Sequence, residues 1–382
     1  MVPVAYSYRN LLVRWKTTLM TAAGFTLVVA VLIVMLAFTS GVTTVCAVSG
    51  EAENVICLTK GNIDEVLSRI DVQTARQLEL APGVLSDDRG RALASRELYM
   101  MVTQRDEKTG RWEFMSVRGV YENALEVHTQ VRLIEGRMFQ RHCRELIIGR
   151  QLARAHDIRI GDRLTLGRAS WDVVGICEAG GSAFESELWG DLDQLAGCFH
   201  RRGIYTAVVL RTADAATARE TASYLDGSRQ VAVDASCELD YYARQAEQTD
   251  LLRNAALVIG VFMAIGAALG VTNTMFAAIS ARTSDIAVLR IVGFTKGQIL
   301  AAFLFESVLI AAIGGTLGSC LGYALNGLTL ETAMGAKKVA FAFQVDAAVL
   351  STAAVFTLVM GLLGGLLPAV SAMQIRPLES LR

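Results

Sequence analysis

From Thr17 to Gly50 the chain reads TTLMTAAGFTLVVAVLIVMLAFTSGVTTVCAVSG, with no charged residue anywhere in the run. A helix needs about 20 apolar residues to cross roughly 30 Å of hydrocarbon, and this run is longer than that. Arg9, Arg14 and Lys16 precede it as the n-region of a secretory signal would. Signal h-regions, however, are only about 7 to 15 residues long and end at a small-residue cleavage site, so the length predicts an uncleaved anchor. Three more such stretches follow: Asn254 to Ala281, Gly297 to Leu330 with the single charge Glu306, and Ala347 to Ile375. The expectation is a membrane protein with four transmembrane α-helices.

Composition agrees with that reading. Of 382 residues, 53% are apolar and 19% charged, with a mean hydropathy of +0.40, whereas soluble domains average about 25% charged. This composition argues against a wholly soluble enzyme. A net charge of -1 gives no global basic field, so nucleic acid is not an expected partner. Basic residues flank the spans unevenly: Arg9, Arg14 and Lys16 before the first, Arg282, Arg290 and Lys296 between the second and third, Arg376 and Arg382 after the fourth. Alternating spans put all of these on one side, which the positive-inside rule makes the cytoplasm. Lys337 and Lys338 oppose the trend weakly. Both termini are expected inside and the segment Glu51 to Arg253 outside.

Charged residues return between Glu51 and Asp250, as in a solvated domain. Alternating or β-branched runs predict strands at Asn54 to Thr59, Leu98 to Gln104, Trp112 to Tyr121, Glu145 to Ile148, Ser170 to Ile176 and Thr206 to Leu210. Periodic or Ala-rich stretches predict helices at Ile63 to Gln77, Arg150 to His156 and Ala215 to Leu225. The result is a large mixed α/β domain inserted between the first and second spans. Its cysteines, Cys57, Cys143, Cys177, Cys198 and Cys237, are odd in number and irregular in spacing, which specifies no disulfide framework; buried free thiols are the expectation. His128, His142, His156 and His200 are scattered, and only His142 with Cys143 makes an adjacent pair of soft ligands, whereas zinc sites need three or four. No metal site is expected. Nucleophile elbow, HExxH and phosphate-loop contexts are missing from the sequence, so no catalytic residue is assigned and the chain is not expected to be an enzyme.

Four features bear on mechanism. The run Leu239 to Arg253 has helical periodicity and contains neither Pro nor Gly. Continuous with the second span, it makes a helix of about 40 residues, or roughly 60 Å at 1.5 Å per residue, twice the hydrocarbon thickness. The first span is also too long for the bilayer, so a stalk is expected on each side of the inserted domain. Small residues recur four apart at Gly266 and Gly270, at Gly314, Gly318 and Gly322, and at Gly361 and Gly365, a spacing suited to helix packing within the chain or to dimerisation. Glu306 is an intramembrane acid near the inner end of its span, a functional candidate by default, though a structural role, in which it meets interfacial water or pairs with a base such as Lys296, is favoured over proton coupling. Tyr8, Leu11, Leu12 and Trp15 make one apolar face of an interfacial helix. Between the second and third spans, Ile286, Leu289 and Val292 recur at helical spacing, Gly293 can end that helix, and Thr295 with Gln298 can box the start of the next. This elbow is suited to docking a partner.

Ala281-Arg-Thr-Ser-Asp-Ile-Ala-Val-Leu-Arg-Ile-Val-Gly-Phe-Thr-Lys-Gly-Gln-Ile299 resembles the signature loop of the FtsX-like, MacB-type (type VII) ABC transporter permeases. Leu367-Pro-Ala-Val-Ser-Ala-Met-Gln-Ile-Arg-Pro-Leu-Glu-Ser-Leu-Arg382 is similar to the closing motif of the same family, and Arg9-Asn-Leu-Leu and Glu306 fit it as well. In the inserted domain, Glu135-Gly-Arg-Met-Phe139, Ile148-Gly-Arg-Gln-Leu-Ala153, Ile160-Gly-Asp162 and Val173-Val-Gly-Ile176 resemble the MacB-type periplasmic core. Ala281, where the family often has an acid, and Ala287, where it often has Gly, depart from the pattern. The resemblance covers nearly the whole chain in order.

The resemblance implies a homodimeric permease in the bacterial inner membrane, in contact with lipid and bound to a separate cytoplasmic ABC ATPase that holds the ATP and Mg; this chain itself carries no cofactor. Arg282, Thr283, Asp285, Ile286, Leu289, Arg290 and Gly293 would dock that ATPase. ATP-driven closure would pass through the stalk to the outer domain (mechanotransmission), moving an amphiphile, lipid, lipoprotein or peptide, with a periplasmic adaptor (membrane fusion) protein as a further partner. The alternative is a signalling permease that activates a cell-wall hydrolase. The expected organisation is an interfacial helix at 1–16, the first span with its stalk at 17–48, the outer domain at 49–238 and the second stalk and span at 239–281. A coupling elbow at 282–298, the third span at 299–325, a short outer loop at 326–346, the fourth span at 347–375 and an inner tail at 376–382 complete it.

Overall fold

The computed structural model describes residues 15–105, 112–334 and 337–374, so the expected interfacial helix, except for its last two residues, and the inner tail lie outside the described residues. The described residues fall into two compact units, one within 15–40, 250–328 and 343–374, the other within 41–249 and 329–342.

In the first unit, four helices are long and apolar enough to span a membrane. They belong to α1 (Trp15–Ser49), α7 (Glu238–Ser280), α9 (Lys296–Tyr323) and α10 (Ala347–Met373). The long second helix is present as expected: α7 runs 43 residues without a break. A short helix, α8 (Thr283–Ile291), separates α7 from α9. The spans meet through small residues. An added Cβ on Gly314 would lie 2.6 Å from the carbonyl oxygen of Ala22, on Gly318 2.7 Å from that of Thr26, and on Gly322 2.5 Å from Ile33 Cγ2. Gly361 and Gly365 meet Ala311 and Ser307 in the same manner. Hydroxyls bridge the helices to backbone: Ser307 donates to the Gly361 carbonyl at 2.7 Å and Thr272 to that of Gly364 at 2.9 Å. Lipid gives no hydrophobic reason for helices to associate, so close backbone approach and such bonds do the holding.

The second unit is the inserted domain. Its main sheet has ten strands in the order β12-β1-β11-β3-β4-β9-β6-β8-β5, with β7 also paired to β8. These are β1 (Asn54–Thr59), β3 (Ala94–Arg105), β4 (Trp112–Val120), β5 (Arg132–Gly136), β6 (Glu145–Gly149), β7 (Arg163–Leu166), β8 (Ala169–Glu178), β9 (Glu187–Asp191), β11 (Ala207–Arg211) and β12 (Val233–Cys237). β4 with β9 and β6 with β8 are parallel, the other pairs antiparallel. Successive strand residues point to opposite faces, so Val55 and Cys57 enter one core while Ile56 and Leu58 enter the other. Val208 and Leu210 divide from Val209 in the same way. Both faces are therefore covered by α2 (Val72–Glu79), α3 (Ala124–Val127), α4 (Arg150–His156), α5 (Leu192–Cys198), α6 (Ala215–Asp226) and irregular chain. Two family motifs owe their glycines to close approach: a Cβ on Gly149 would collide with the Glu185 carbonyl, and Gly136, at φ +77°, abuts the Val174 carbonyl.

One expected helix is corrected. Ile63 to Gln77 is not continuous but a 3-10 turn at Glu65–Leu67, a two-residue strand β2 (Ile70–Asp71) paired with β10 (Ile204–Tyr205), and then α2. Ser68 Oγ takes the amide of Thr59 at 2.9 Å, which holds the chain extended, and the Asp71 carboxylate restarts the helix by accepting from the amides of Gln73 and Thr74. The segment 326–346 holds a hairpin of β13 (Thr329–Met334) and β14 (Lys337–Ala342) that belongs to this unit. Ser186 Oγ accepts the Ala340 amide at 2.9 Å, and His156 Nε2 lies 3.0 Å from Glu331 Oε1.

Candidate functional site

The elbow is built by local chemistry at both ends of α8. At its C-terminus the amide of Phe294 bonds to the Leu289 carbonyl and that of Gly293 to Arg290, with Gly293 at φ +108°. This is the left-handed glycine stop, which satisfies carbonyls that would otherwise be orphaned. Thr295 and Gln298 then form a reciprocal capping box at the start of α9, with bonds of 3.0 and 3.3 Å.

One face of α8 is anchored. Ile286 packs with Ile279 at the end of α7, Ile299 at the start of α9, Ala372 at the end of α10 and, at its margin, Phe303. Ala287 is fully buried, so a small residue is required there. Arg282 is buried and its guanidinium lies 3.8 Å from Glu306, which identifies Arg282, rather than Lys296, as a base facing that acid. The opposite face is apolar and open: Val288, Ile291 and Val292 are 50, 61 and 71% exposed. Their i, i+3, i+4 spacing makes one ridge. Thr283 and Leu289 are half-buried, Gly293 is exposed, and Arg290 is half-buried with its Nε atom enclosed and without a hydrogen-bond partner. The side chain of Asp285 lies outside the described residues. Of the expected docking set, Arg282 and Ile286 therefore face inward and position the elbow. The outward ridge of Val288, Ile291 and Val292 was not among the expected residues; periodicity marked Val292 as apolar but could not say which apolar face would be covered.

The glycine set divides in the same way. Gly314, Gly318, Gly322, Gly361 and Gly365 all contact neighbouring spans of this chain, while Gly266 and Gly270 on α7 have nothing within 4 Å of an added Cβ. Large apolar side chains around them, Phe262, Ile265 and Leu269, are exposed.

In the inserted domain the five cysteines are unpaired, and burial pushes the thiols of Cys57 and Cys177 up to about 12, which keeps them protonated and unreactive. The histidines do not all stand apart: His142 converges with Asp191 and Asp193, with one ligand atom from each within 4.8 Å of the others. Both aspartates already accept hydrogen bonds, Asp191 from the Gln194 amide at 2.9 Å and Asp193 from the Tyr121 hydroxyl at 3.0 Å.

Residues 257–377 match the family model of the FtsX-like permease C-terminal region, and residues 18–227 match that of the MacB-like periplasmic core domain. An uncharacterized ABC transporter permease, YknZ of Bacillus subtilis, is 34% identical over 125 residues, covering 33% of this chain and 30% of the relative. The macrolide export ATP-binding/permease protein MacB of Bordetella avium is 24% identical over 372 residues, covering 86% of this chain and 55% of the relative. The chain thus spans between about a third and about half of the length of these curated relatives. Among solved structures, the extracellular domain of the noncanonic ABC-type transporter YknZ from Gram-positive bacteria aligns at 17% identity and a TM-score of 0.36, covering 48% of this chain and 99% of that one. With one family model covering more than half of its length and a second covering most of the remainder, the chain belongs to the FtsX-like, MacB-type family of ABC transporter permeases.

Proposed function

We propose that the chain is the permease subunit of an inner-membrane ABC transporter, driven by a separate ATPase that docks on the elbow and carries the ATP and Mg. The observation that carries this reading is the elbow itself: a short helix wedged by Ile286 and Ala287 into the ends of three spans, with an apolar ridge of Val288, Ile291 and Val292 left uncovered. A push on that ridge is delivered to α7, α9 and α10 together. Isolated exposed apolar residues are ordinary, but a contiguous ridge on a helix already anchored on its other side is what a partner covers. Arg282, Thr283, Asp285, Leu289, Arg290 and Gly293 frame or seat the contact.

The reading extends to mechanotransmission. α7 is 43 residues long, or roughly 65 Å at 1.5 Å per residue, and α1 has 35 residues, so each helix is longer than a bilayer requires. Both termini lie in the cytoplasm, the inserted domain is periplasmic, and motion passes along these helices to act on an amphiphile, lipid, lipoprotein or peptide, with an adaptor as outer partner. A second copy packs on the open Gly266 and Gly270 face of α7, since the other glycines are already occupied within the chain.

Co-purification of the full chain with its ATPase tests the docking. Ile291→Asp places a charge on the ridge and is expected to abolish association, Arg290→Glu to weaken it, and both to leave membrane insertion intact. Association that survives both substitutions overturns the assignment.

A further inference from the structure

Six ionisable side chains meet in the core of the inserted domain, none more than 2% exposed: Glu65 from the 3-10 turn, Glu97 from β3, Arg118 from β4, His128 after α3, Glu187 from β9 and Glu238, the first residue of α7. Arg118 grips Glu187 with two bonds of 2.6 and 2.8 Å, also bonds to Glu97, and lies 3.1 Å from Glu65. Tyr99 and Phe184 place their rings 4.8 and 5.3 Å from its guanidinium carbon. His128 Nε2 lies 2.6 Å from Glu97, while its Nδ1, 3.8 Å from Glu238, has no hydrogen-bond partner. Phe184 and Trp189 enclose the imidazole at centroid distances of 4.9 and 5.7 Å.

Four carboxylates here face one guanidinium and one imidazole. Even with the imidazole charged, full ionisation would leave two negative charges unbalanced in a dry core, and buried groups in that position take up protons instead. Nearby charges are already engaged: Arg211 holds Glu51 and Glu53, and Glu185 accepts the amides of Ala179 and Gly181. Burial opposes charge on His128, yet Glu97 outweighs it and holds the imidazole above its usual range. Glu97, despite its burial, is drawn down to about 2 by His128 and Arg118. Glu238 is raised by burial, against the pull of His128 and Asn54.

The position of Glu238 gives this cluster a mechanical meaning. Its Oε2 accepts the side-chain amide of Asn54 at 2.9 Å and the backbone amide of Glu51 at 3.1 Å, two residues beyond the end of α1. Gly50 comes so close that an added Cβ would be 2.8 Å from the Glu238 carbonyl oxygen. The end of α1 and the start of α7 are therefore tied by one carboxylate. We infer that this cluster is a proton-binding clasp: protons held on His128 and on the Glu238 carboxyl, whose Oε1 lies 3.8 Å from His128 Nδ1, keep the two helix junctions seated on the sheet, and their release loosens both together. The clasp belongs to the inserted domain alone and stands whatever partner the elbow takes.

A group that binds its proton more tightly in the folded domain than in the unfolded chain stabilises the fold below its unfolded pKa, and that contribution is lost as pH rises through the folded value. His128 and Glu238 are both of this kind, so the junctions loosen with rising pH; Glu97, with its lowered value, contributes loss only as pH falls towards about 2.

Hydrogen exchange of the full chain in lipid nanodiscs, corrected for the intrinsic pH dependence, tests this. Protection of residues 49–54 and 238–242 is expected to fall between pH 6 and 9, by up to about tenfold per pH unit for each proton released. Glu238→Gln, which mimics the protonated acid, is expected to retain protection at pH 9 and flatten the profile. A flat wild-type profile, or an unchanged one in Glu238→Gln, overturns the clasp. Should that variant fail to fold, ring-nitrogen NMR of histidine-labelled wild type decides: among the 4 histidines, His128 is expected to hold its proton to the highest pH, and a neutral His128 at pH 6 overturns the proposal.

Discussion

The inserted domain and the membrane unit bury opposite things. The domain encloses Arg118 among Glu65, Glu97 and Glu187, with almost none of their surface exposed. The membrane unit encloses glycines against backbone and hydroxyls against carbonyls, at Gly318 on Thr26 and at Ser307 on Gly361. Water drives apolar side chains into the domain's two cores strongly enough to carry a polar cluster along, provided that its charges are paired or neutralised by protons. Inside a bilayer that drive is missing, and close approach with a few interhelical hydrogen bonds decides which helices associate.

Arg118→Met is the severest test of this contrast. It takes the arginine from Glu65 and Glu187 and leaves Glu97 to His128 alone, and breaking a buried pair typically costs about 3–5 kcal/mol; the expected outcome is loss of protease resistance across the inserted domain at neutral pH. A variant as resistant as the wild type would mean that the cluster is solvated and the contrast false.

Gly318→Leu comes next. Its side chain would meet the Thr26 carbonyl oxygen and Val29 Cβ, at 2.7 and 2.9 Å for the Cβ alone, and overpacking costs roughly 1–3 kcal/mol. Gly266→Leu, with open space around it, should leave the monomer's melting temperature in detergent unchanged while reducing cross-linking between copies. Equal effects from the two substitutions would erase the distinction between occupied and open glycines.

Ser307→Ala sharpens the comparison at its small end. The lost bond to the Gly361 carbonyl is short and buried, yet hydrogen bonds between membrane helices average about 0.6 kcal/mol. A slight decrease in the melting temperature of the membrane unit is expected, far below the effect of Arg118→Met. A loss as large as that of Gly318→Leu would show that hydroxyls, not close approach, hold the spans.

Local features were legible in the sequence. β1 spans Asn54–Thr59 and α4 spans Arg150–His156 at the expected bounds, because alternation and amphipathic periodicity act over a few residues. Gly293 and the Thr295–Gln298 box stop and start helices through bonds within five residues. Other features were not legible. The helix expected at Ile63 to Gln77 breaks at Ser68 because Thr59, nine residues away, claims the serine hydroxyl. β9, Glu187–Asp191, is fully buried although it begins and ends in acids; it escaped notice because Arg118 lies on another strand.

The chain's order of residues by itself determined four spans, a mixed domain between the first two, an elbow with its caps, and membership of a permease family. The first three rest on hydropathy, periodicity or hydrogen bonds between near neighbours, and the last on the resemblance of whole motifs and the family models they match. Only the tertiary structure decided which glycines are occupied, which face of the elbow is open, that Arg282 faces Glu306, and that four glutamates share a core with one arginine and one histidine. Those outcomes depend on groups tens to hundreds of residues apart reaching a few ångströms of each other, where packing and charge, rather than local preference, determine the result.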